Sequence, residues 1–564
     1  MNNSKEKSIY SILFYLVFAF AICLVLSYKW DETIIMGVLG DEFGYWGNAS
    51  VLSGLKWTPL MSESAYYGLG YSILLCPLMY ITNYKIRYHV AIILNGLLLF
   101  GMGFFARKIS YKFSGEHKIG DVFPILLSVL TVSSIFQARI AWSETAVSFF
   151  MWVLVYAMVC FEDKITIFRI IIISLIEFFM IFIHQRTLPV AVLSVMITEV
   201  YLLKSKKSKE GIIRFGCFVL VLAAYNKIKA AQIDAIYMQS ASAELNNYGL
   251  SDSTGWLENY VNAAKLYYKD ICFSFVGKLI VIFLSTYCLI GVLVLLNKHM
   301  MCSKYLYTKV FIVSSLIVMS ILTSMTSFGV QRLDYAVYSR YFDYSVGPVI
   351  LLCFSSLKHI TTKANKLFLA ISAVIIALEK ILIEYMSKSN AAFNYSCSPL
   401  FGGLLDLSYF DGKVQWDVLS SVVMKFSISM IFLCLIVTYG EKKGSTIKYV
   451  ALFVMIATNI FIANNSSKRI CEWRNNLSKN AYEIDDITSD DTSVFYCNIQ
   501  GQLQYLFLLQ EYQFINSQNS INKLDYNKPV EDLGECYIIS DVKLDLGITP
   551  LIDKEEYKLY YFGN

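Results

Sequence analysis

Charge is what this chain has least of. Its 564 residues are 56% hydrophobic and only 16% charged, against roughly 25% charged in ordinary domains, which excludes a water-soluble globule. Histidine is sparse and scattered, five in all, and no pair among the 13 cysteines has zinc-ligand spacing. Cys23, Cys76, Cys160, Cys217, Cys288, Cys353 and Cys434 lie inside apolar runs, where cysteine acts as a small hydrophobe. Cys497 and Cys536 can form a disulfide only if their domain lies outside the cell, and their separation alone does not show it. Proline is scarce beside abundant Lys, Ile and Asn, a pattern compatible with an AT-rich bacterial genome. No small-residue cleavage site follows the first apolar run, Ile9 to Tyr28, which reads as a retained anchor. There is no internal repeat and no low-complexity tract. The absence of an inverted repeat and of paired broken spans argues against a secondary transporter.

What is present is a series of apolar stretches of about 17–25 residues, the length that crosses a bilayer as a helix. Expected spans are 9–28, 88–106, 121–136, 145–161, 166–183, 188–203, 211–228, 278–297, 309–325, 345–357, 367–385, 418–439 and 449–464. The shorter run Leu69 to Ile81 suits an interfacial or re-entrant segment. Leaving it unspanned puts Arg107, Lys108, Lys112 and Lys118 in the cytoplasm, as the positive-inside bias requires. The basic stretches at 204–209, 298–309, 358–366 and 441–448 then fall on the same side. About thirteen spans follow, with a cytoplasmic N-terminus and an external C-terminus. The polytopic part occupies residues 1–464, with a first outer loop over about 29–87.

Residues 465–564 read differently. From Lys468 onward nine Lys and Arg face sixteen Asp and Glu, a net of −7. "SVFYCNIQ" (493–500) and "ECYIISDV" (535–542) alternate like strands, and "LQYLFLLQEY" (503–512) reads as a helix. The expectation is a small extracytoplasmic α/β domain.

With sides assigned, acids and arginines gather at the outer ends of several spans. The first outer loop holds Asp41, Glu42, Tyr45, Trp46, Tyr66 and Tyr67. Arg139 and Glu144 lie in the second, His184 and Arg186 in the third, and Arg332, Asp334, Arg340 and Asp343 in a later one. Such a set suits transfer of a glycosyl group from a phosphate leaving group. A carboxylate takes the proton of the attacking hydroxyl, and arginine offers permanent planar charge to the phosphate. Each residue also has a plainer reading. An Asp-Glu pair after a span is commonly loop charge, an acid at a helix start is favoured by the dipole, arginines snorkel to headgroups, and tyrosines form interfacial belts. Glu177 stands apart in mid-span, where an ionisable group is a functional candidate. It supports the alternative of a transporter, flippase or polymerase of lipid-linked saccharides, and a non-catalytic scaffold is a third reading.

"DEFGYWGNASVLSGLKWTP" (41–59) resembles the first outer loop of the GT-C superfamily of integral-membrane glycosyltransferases, in the branch of protein O-mannosyltransferases and lipid A aminoarabinose transferases. "YYGLGYSILLCPLMYI" (66–81) resembles the juxtamembrane segment that follows, with Tyr-Gly where Pro-Pro or Pro-Gly is usual. "ARIAWSETAVSFFMWVLVY" (138–156) and "SRYFDYSVGPVILL" (339–352) resemble the second outer loop and a later Arg-Tyr element. The resemblance implies a GT-C-like helical fold ending in an extracytoplasmic α/β domain, in a bacterial cytoplasmic membrane. It makes Asp41 the catalytic base, Glu42 its neighbour in acceptor or sugar binding, and Glu144 a second acid near the donor sugar or a metal. Arg340 and Arg186 become donor-phosphate ligands, and Tyr45, Tyr67, His184 and Tyr341 complete the substrate-binding set. The implied donor is a polyprenyl-phosphate sugar; the acceptor is a glycan, a glycolipid or a protein. Membrane lipids are expected partners and nucleic acid is not. No cofactor is certain, and a divalent metal stays open.

Overall fold

The computed structural model describes residues 2–114, 122–240, 265–287, 304–326, 333–355, 357, 362–388, 393–410, 413–488, 492–524 and 533–563. Among them, seven helices are long and apolar enough to cross a membrane, and three shorter apolar ones accompany them. The expected count of thirteen spans is therefore not confirmed, but the polytopic helical class is plain. The stretch 121–136, expected as one span, is two short helices, Val122–Val129 and Val132–Ala138. The break is local chemistry: the Thr131 hydroxyl accepts from the Ser134 amide at 3.1 Å and caps the second helix. The expected span at 278–297 is described only to position 287.

Five helices carry or frame the site. They are α1 (Leu39–Leu52), α2 (Tyr84–Ser114), α3 (Glu144–Asp163), α4 (Ile167–Ile183) and α5 (Ser208–Ala235). Helices α2 and α3 pack along each other, and α4 packs against both α3 and α5. Between α1 and α2 lies Leu69–Leu75, a seven-residue helix followed by the 3-10 turn Cys76–Tyr80. Seven residues rise about 10 Å, far short of a bilayer core. Gly68 and Gly70 let this segment lie on the backbone of Phe182 and Ile183, where an added Cβ would collide.

Glu177 is accounted for by packing. It is fully buried on α4 and ion-paired with Arg214 of α5, whose guanidinium also donates to Ser174 and Thr198 at 3.1 and 3.2 Å. The pair neutralises itself where either charge alone would be costly. Glu177 is thus not a lone charge within its span.

A 41-residue helix, α6 (Ile447–Ile487), runs unbroken through position 464 into the C-terminal region. There β3 (Ser493–Cys497), α7 (Leu503–Ile515), β4 (Ile521–Lys523), β5 (Cys536–Ser540), β6 (Ile552–Asp553) and β7 (Lys558–Phe562) form a sheet in the order β4-β3-β5-β7-β6. A two-residue hairpin of β1 (Tyr409–Phe410) and β2 (Lys413–Val414) precedes them. The two alternating runs became β3 and β5, paired in parallel. That register sets Cys497 opposite Ser540 and Cys536 opposite Ser493. Four residues of strand, about 13 Å, separate the two cysteines, too far for a disulfide.

The C-terminal domain is fastened to the first long loop. Trp57 Nε1 donates to the Ser517 carbonyl at 3.0 Å, and Arg87 of α2 donates to Ser517 Oγ at 2.5 Å and to the Phe514 carbonyl. Within it Glu511, on α7, is 1% exposed, and neither oxygen has a hydrogen-bond partner among the described residues. Burial pushes its carboxyl up to about 8, with only partial relief from Arg474. The folded chain keeps this proton between the ordinary value of 4.5 and about 8, while the unfolded chain has released it. Stability therefore falls as pH rises through that window, by up to ~1.4 kcal/mol per unit. Glu511→Gln should melt higher than the parent at pH 7.5 and alongside it at pH 4.5. Parallel melting curves at both pH values would contradict this.

Candidate active site

Asp41 is the third residue of α1, in the first turn, where a carboxylate faces the positive end of the helix dipole. Its Oδ1 accepts from the Tyr67 hydroxyl at 2.6 Å, and its Oδ2 is ion-paired with Nη1 of Arg340. Arg340 reaches on through Nε to Glu144, the first residue of α3. The other oxygen of Glu144 pairs with Arg186, in the 3-10 turn Gln185–Thr187 that follows α4. Four segments separated by up to 299 positions thus close one chain, Asp41–Arg340–Glu144–Arg186. Two carboxylates balance two guanidiniums. Glu144 is 2% exposed, whereas Asp41 keeps 26% and is the open end of the chain.

Aromatic faces hold the cations. The Arg340 guanidinium lies 4.1 Å from the Trp142 ring centroid, and that of Arg186 lies 4.7 Å from Tyr341. Arg340 is fixed through its backbone too, its amide donating to the Cys397 carbonyl at 3.1 Å. Nε and Nη1 of Arg186 are buried and have no hydrogen-bond partner among the described residues. Unfilled donors on a buried guanidinium are costly, and an anion is one group that would satisfy them.

The electrostatics follow the geometry. Burial raises the Asp41 carboxyl, but Arg340 and the Tyr67 hydroxyl outweigh it and hold the group below the ordinary carboxylate value. Burial and the Asp41 charge keep Tyr67 protonated far above its usual range, so it remains a donor. His184, in the loop after α4, is pushed down to about 3 by burial and by Arg340. It is neutral, and its Nδ1 accepts the Arg186 amide at 3.3 Å. That bond shapes the turn carrying Arg186. Tyr45 donates to Ser143 Oγ at 2.6 Å and packs edge-on against Tyr67 at 5.3 Å.

The structure therefore brings together Asp41, Tyr45, Tyr67, Glu144, His184, Arg186, Arg340 and Tyr341. Glu42 points elsewhere. It is fully buried, its Oε2 accepting from the Gly37 and Val38 amides at 2.5 and 2.7 Å. Its Oε1 accepts from the Tyr88 hydroxyl and the Ala141 amide at 2.6 and 3.0 Å. Adjacent helical residues do not face each other, so the two acids serve different surroundings. Arg139 is spent on the Val25 carbonyl, Asn464 and Ser467. Asp343 accepts from Ser339, Asp334 accepts from the Asn394 amide, and Arg332 lies outside the described residues.

Other participants were not singled out in the sequence. Lys229 of α5 donates to Gln185 at 3.0 Å beneath Tyr66, and Gln232 donates to the Tyr67 carbonyl at 2.7 Å. Tyr225, Lys229 and Gln232 recur at four- and three-residue spacing, a polar stripe that helical periodicity could have revealed. Trp142 and Ser143 sit in the same "AWSE" stretch as Glu144. Among the described residues no group of three or more His, Cys, Asp or Glu could hold a metal ion. Asp41 and Glu144 are both committed to arginine, so they do not fit a divalent cation.

Helix length and composition mark a multi-pass membrane protein, and its fold is shared with solved structures over nearly the whole chain. The solved structures it resembles include ArnT from Cupriavidus metallidurans bound to undecaprenyl phosphate, with a TM-score of 0.52 at 9% identity over 98% of both chains. The apo form of the same protein matches with a TM-score of 0.50 at 9% identity, over 99% of this chain and 98% of that one. No family model and no curated protein matches the chain.

Proposed function

We propose that this protein is a membrane glycosyltransferase that moves a sugar from a polyprenyl-phosphate-linked donor to an acceptor hydroxyl. The acceptor belongs to a surface polysaccharide, a glycolipid or a protein. The carrying observation is the ion-pair chain Asp41–Arg340–Glu144–Arg186, ending in guanidinium donors with no partner among the described residues. The acceptor oxygen attacks the anomeric carbon while the bond from that carbon to the phosphate oxygen breaks. Polyprenyl phosphate leaves with the electron pair, and the acceptor proton passes to Asp41. Arg186 and Arg340 take up the charge that develops on the phosphate.

The arrangement carries its own control. Arg340 holds Asp41 ionised but weakly basic. A donor phosphate competes for the same guanidinium, and as Arg340 turns to it Asp41 becomes a stronger base. The base is thus strengthened by the bound donor. Glu42 supports this from behind by fixing the start of α1, and the similarity to an ArnT structure bound to undecaprenyl phosphate supports the donor class. The direct test is transfer of labelled sugar from a synthetic polyprenyl-phosphate sugar to extracted envelope acceptors by the purified chain. Failure across the common sugar donors would refute it.

In this reading the site opens on the extracytoplasmic face of a bacterial cytoplasmic membrane. The N-terminus lies in the cytoplasm and the C-terminal domain outside. That the four loops assigned to one side by charge supply the clustered residues supports the orientation. A membrane-impermeant maleimide on intact cells should modify Lys554→Cys and spare Lys112→Cys, each scored against the parent chain. Labelling at 112 would invert the topology and remove Asp41 from the outer face.

A further inference from the structure

A second buried network lies behind Asp41 and belongs to no step above. Arg474, on α6 where that helix enters the C-terminal domain, is 1% exposed. Its Nη2 donates to the Tyr88 hydroxyl at 3.3 Å, and that hydroxyl donates to Glu42 Oε1 at 2.6 Å. The remaining contacts of Glu42 go to two places that matter. One is the Gly37–Val38 backbone, immediately before the helix that presents Asp41. The other is the Ala141 amide, three residues before Glu144. A single carboxylate thereby ties together the two segments whose acids share Arg340.

Gly37 is part of the same construction. A side chain there would run into the Arg474 guanidinium, so only glycine lets the cation approach this backbone. From the C-terminal domain, Glu511 of α7 brings a second carboxyl toward Arg474, and Nε and Nη1 of Arg474 have no hydrogen-bond partner among the described residues. Phe514 of the same helix packs against Trp46 of α1 at 5.1 Å and edge-on to Tyr88 at 6.3 Å. Among the described residues the C-terminal domain contributes no group to the chain Asp41–Arg340–Glu144–Arg186, yet its helix α7 bears on Arg474, Glu42 and Tyr88.

We propose that Arg474 and Tyr88 are positioning residues: acting through Glu42, they set the separation of Asp41 and Glu144, so that docking of the C-terminal domain governs turnover at a site to whose ion-pair chain its described residues contribute no group. The claim about turnover rests on the glycosyltransferase reading; the claim about positioning does not. Tyr88 is the cleaner probe, because Tyr88→Phe removes one hydroxyl and keeps the ring packing. Losing a hydrogen bond to a charged group is worth roughly tenfold in rate. Tyr88→Phe should therefore lower kcat about tenfold with donor KM unchanged. Arg474→Gln should do the same, and the double variant should be no worse than the poorer single one.

Amide hydrogen exchange on the purified full-length chain supplies a readout independent of activity. Both variants should exchange faster over residues 36–47 and 139–145 and unchanged over 493–562. Parent-like exchange in both windows would overturn the proposal. Faster exchange spread through the C-terminal sheet would also overturn it, showing that Arg474 and Tyr88 only hold the domain together. If the parent chain transfers no sugar, the functional reading fails while the exchange pattern still decides the positioning claim. Additive losses in the double variant would show that the two residues act separately and would overturn the shared route through Glu42.

Discussion

Asp41→Asn should abolish most sugar transfer while leaving donor binding intact. Asparagine keeps the size of the side chain and its bond to Tyr67, but it cannot accept the acceptor proton. Losing a general base typically costs about 10²–10⁴ in rate. The substitution also removes one of the two carboxylates that hold Arg340, so donor affinity should stay level or rise. Glu42→Gln should be milder: its contacts are to backbone amides, Tyr88 and the start of α1, not to reacting atoms. The measurement is turnover and donor affinity on the same purified preparations. Parent-like turnover in Asp41→Asn would reduce Asp41 to loop charge paired with an arginine.

Arg340→Ala should have the next largest effect, and it should fall on binding as well as on rate. Arg340 is the only link between Asp41 and Glu144 among the described contacts, so its loss leaves Asp41 with Tyr67 alone. A charge-assisted contact to phosphate is worth on the order of 1.5–3 kcal/mol, so donor affinity should drop roughly ten- to hundredfold. Arg340→Lys should recover only part. An ammonium restores the charge but cannot reach two carboxylates and a phosphate with one planar fork, nor stack as well on Trp142. Unchanged donor affinity in a well-expressed Arg340→Ala chain would confine Arg340 to holding the loops together.

Much of this cluster was legible because charge in a membrane protein is sorted by side. With the basic stretches assigned to one side, Asp41, Glu144, Arg186 and Arg340 stood out at the other ends of their expected spans. What hydropathy could not show was direction. Asp41 and Glu42 are neighbours in sequence and look like one motif, but a helix turns about 100° per residue, which sends them to different networks. Nor could it show partners: Glu177 reads as a lone charge in lipid until Arg214, 37 positions later, is packed against it. The expected span at 121–136 failed for a related reason, since one hydroxyl at Thr131 breaks a run that apolarity alone would join. In the C-terminal domain alternation marked β3 and β5. It said nothing of their parallel register, which separates Cys497 from Cys536.

Binding of a polyprenyl phosphate to the purified chain tests the shared site most directly, because it needs neither the sugar nor the acceptor to be known. The lipid phosphate should bind the parent chain and Asp41→Asn with comparable affinity, or more tightly in the latter. It should bind Arg186→Ala at least tenfold more weakly, since Nε and Nη1 of Arg186 are buried at this site with no hydrogen-bond partner among the described residues. No binding by the parent, or equal binding by Arg186→Ala, would contradict a site built to receive a lipid-linked phosphate.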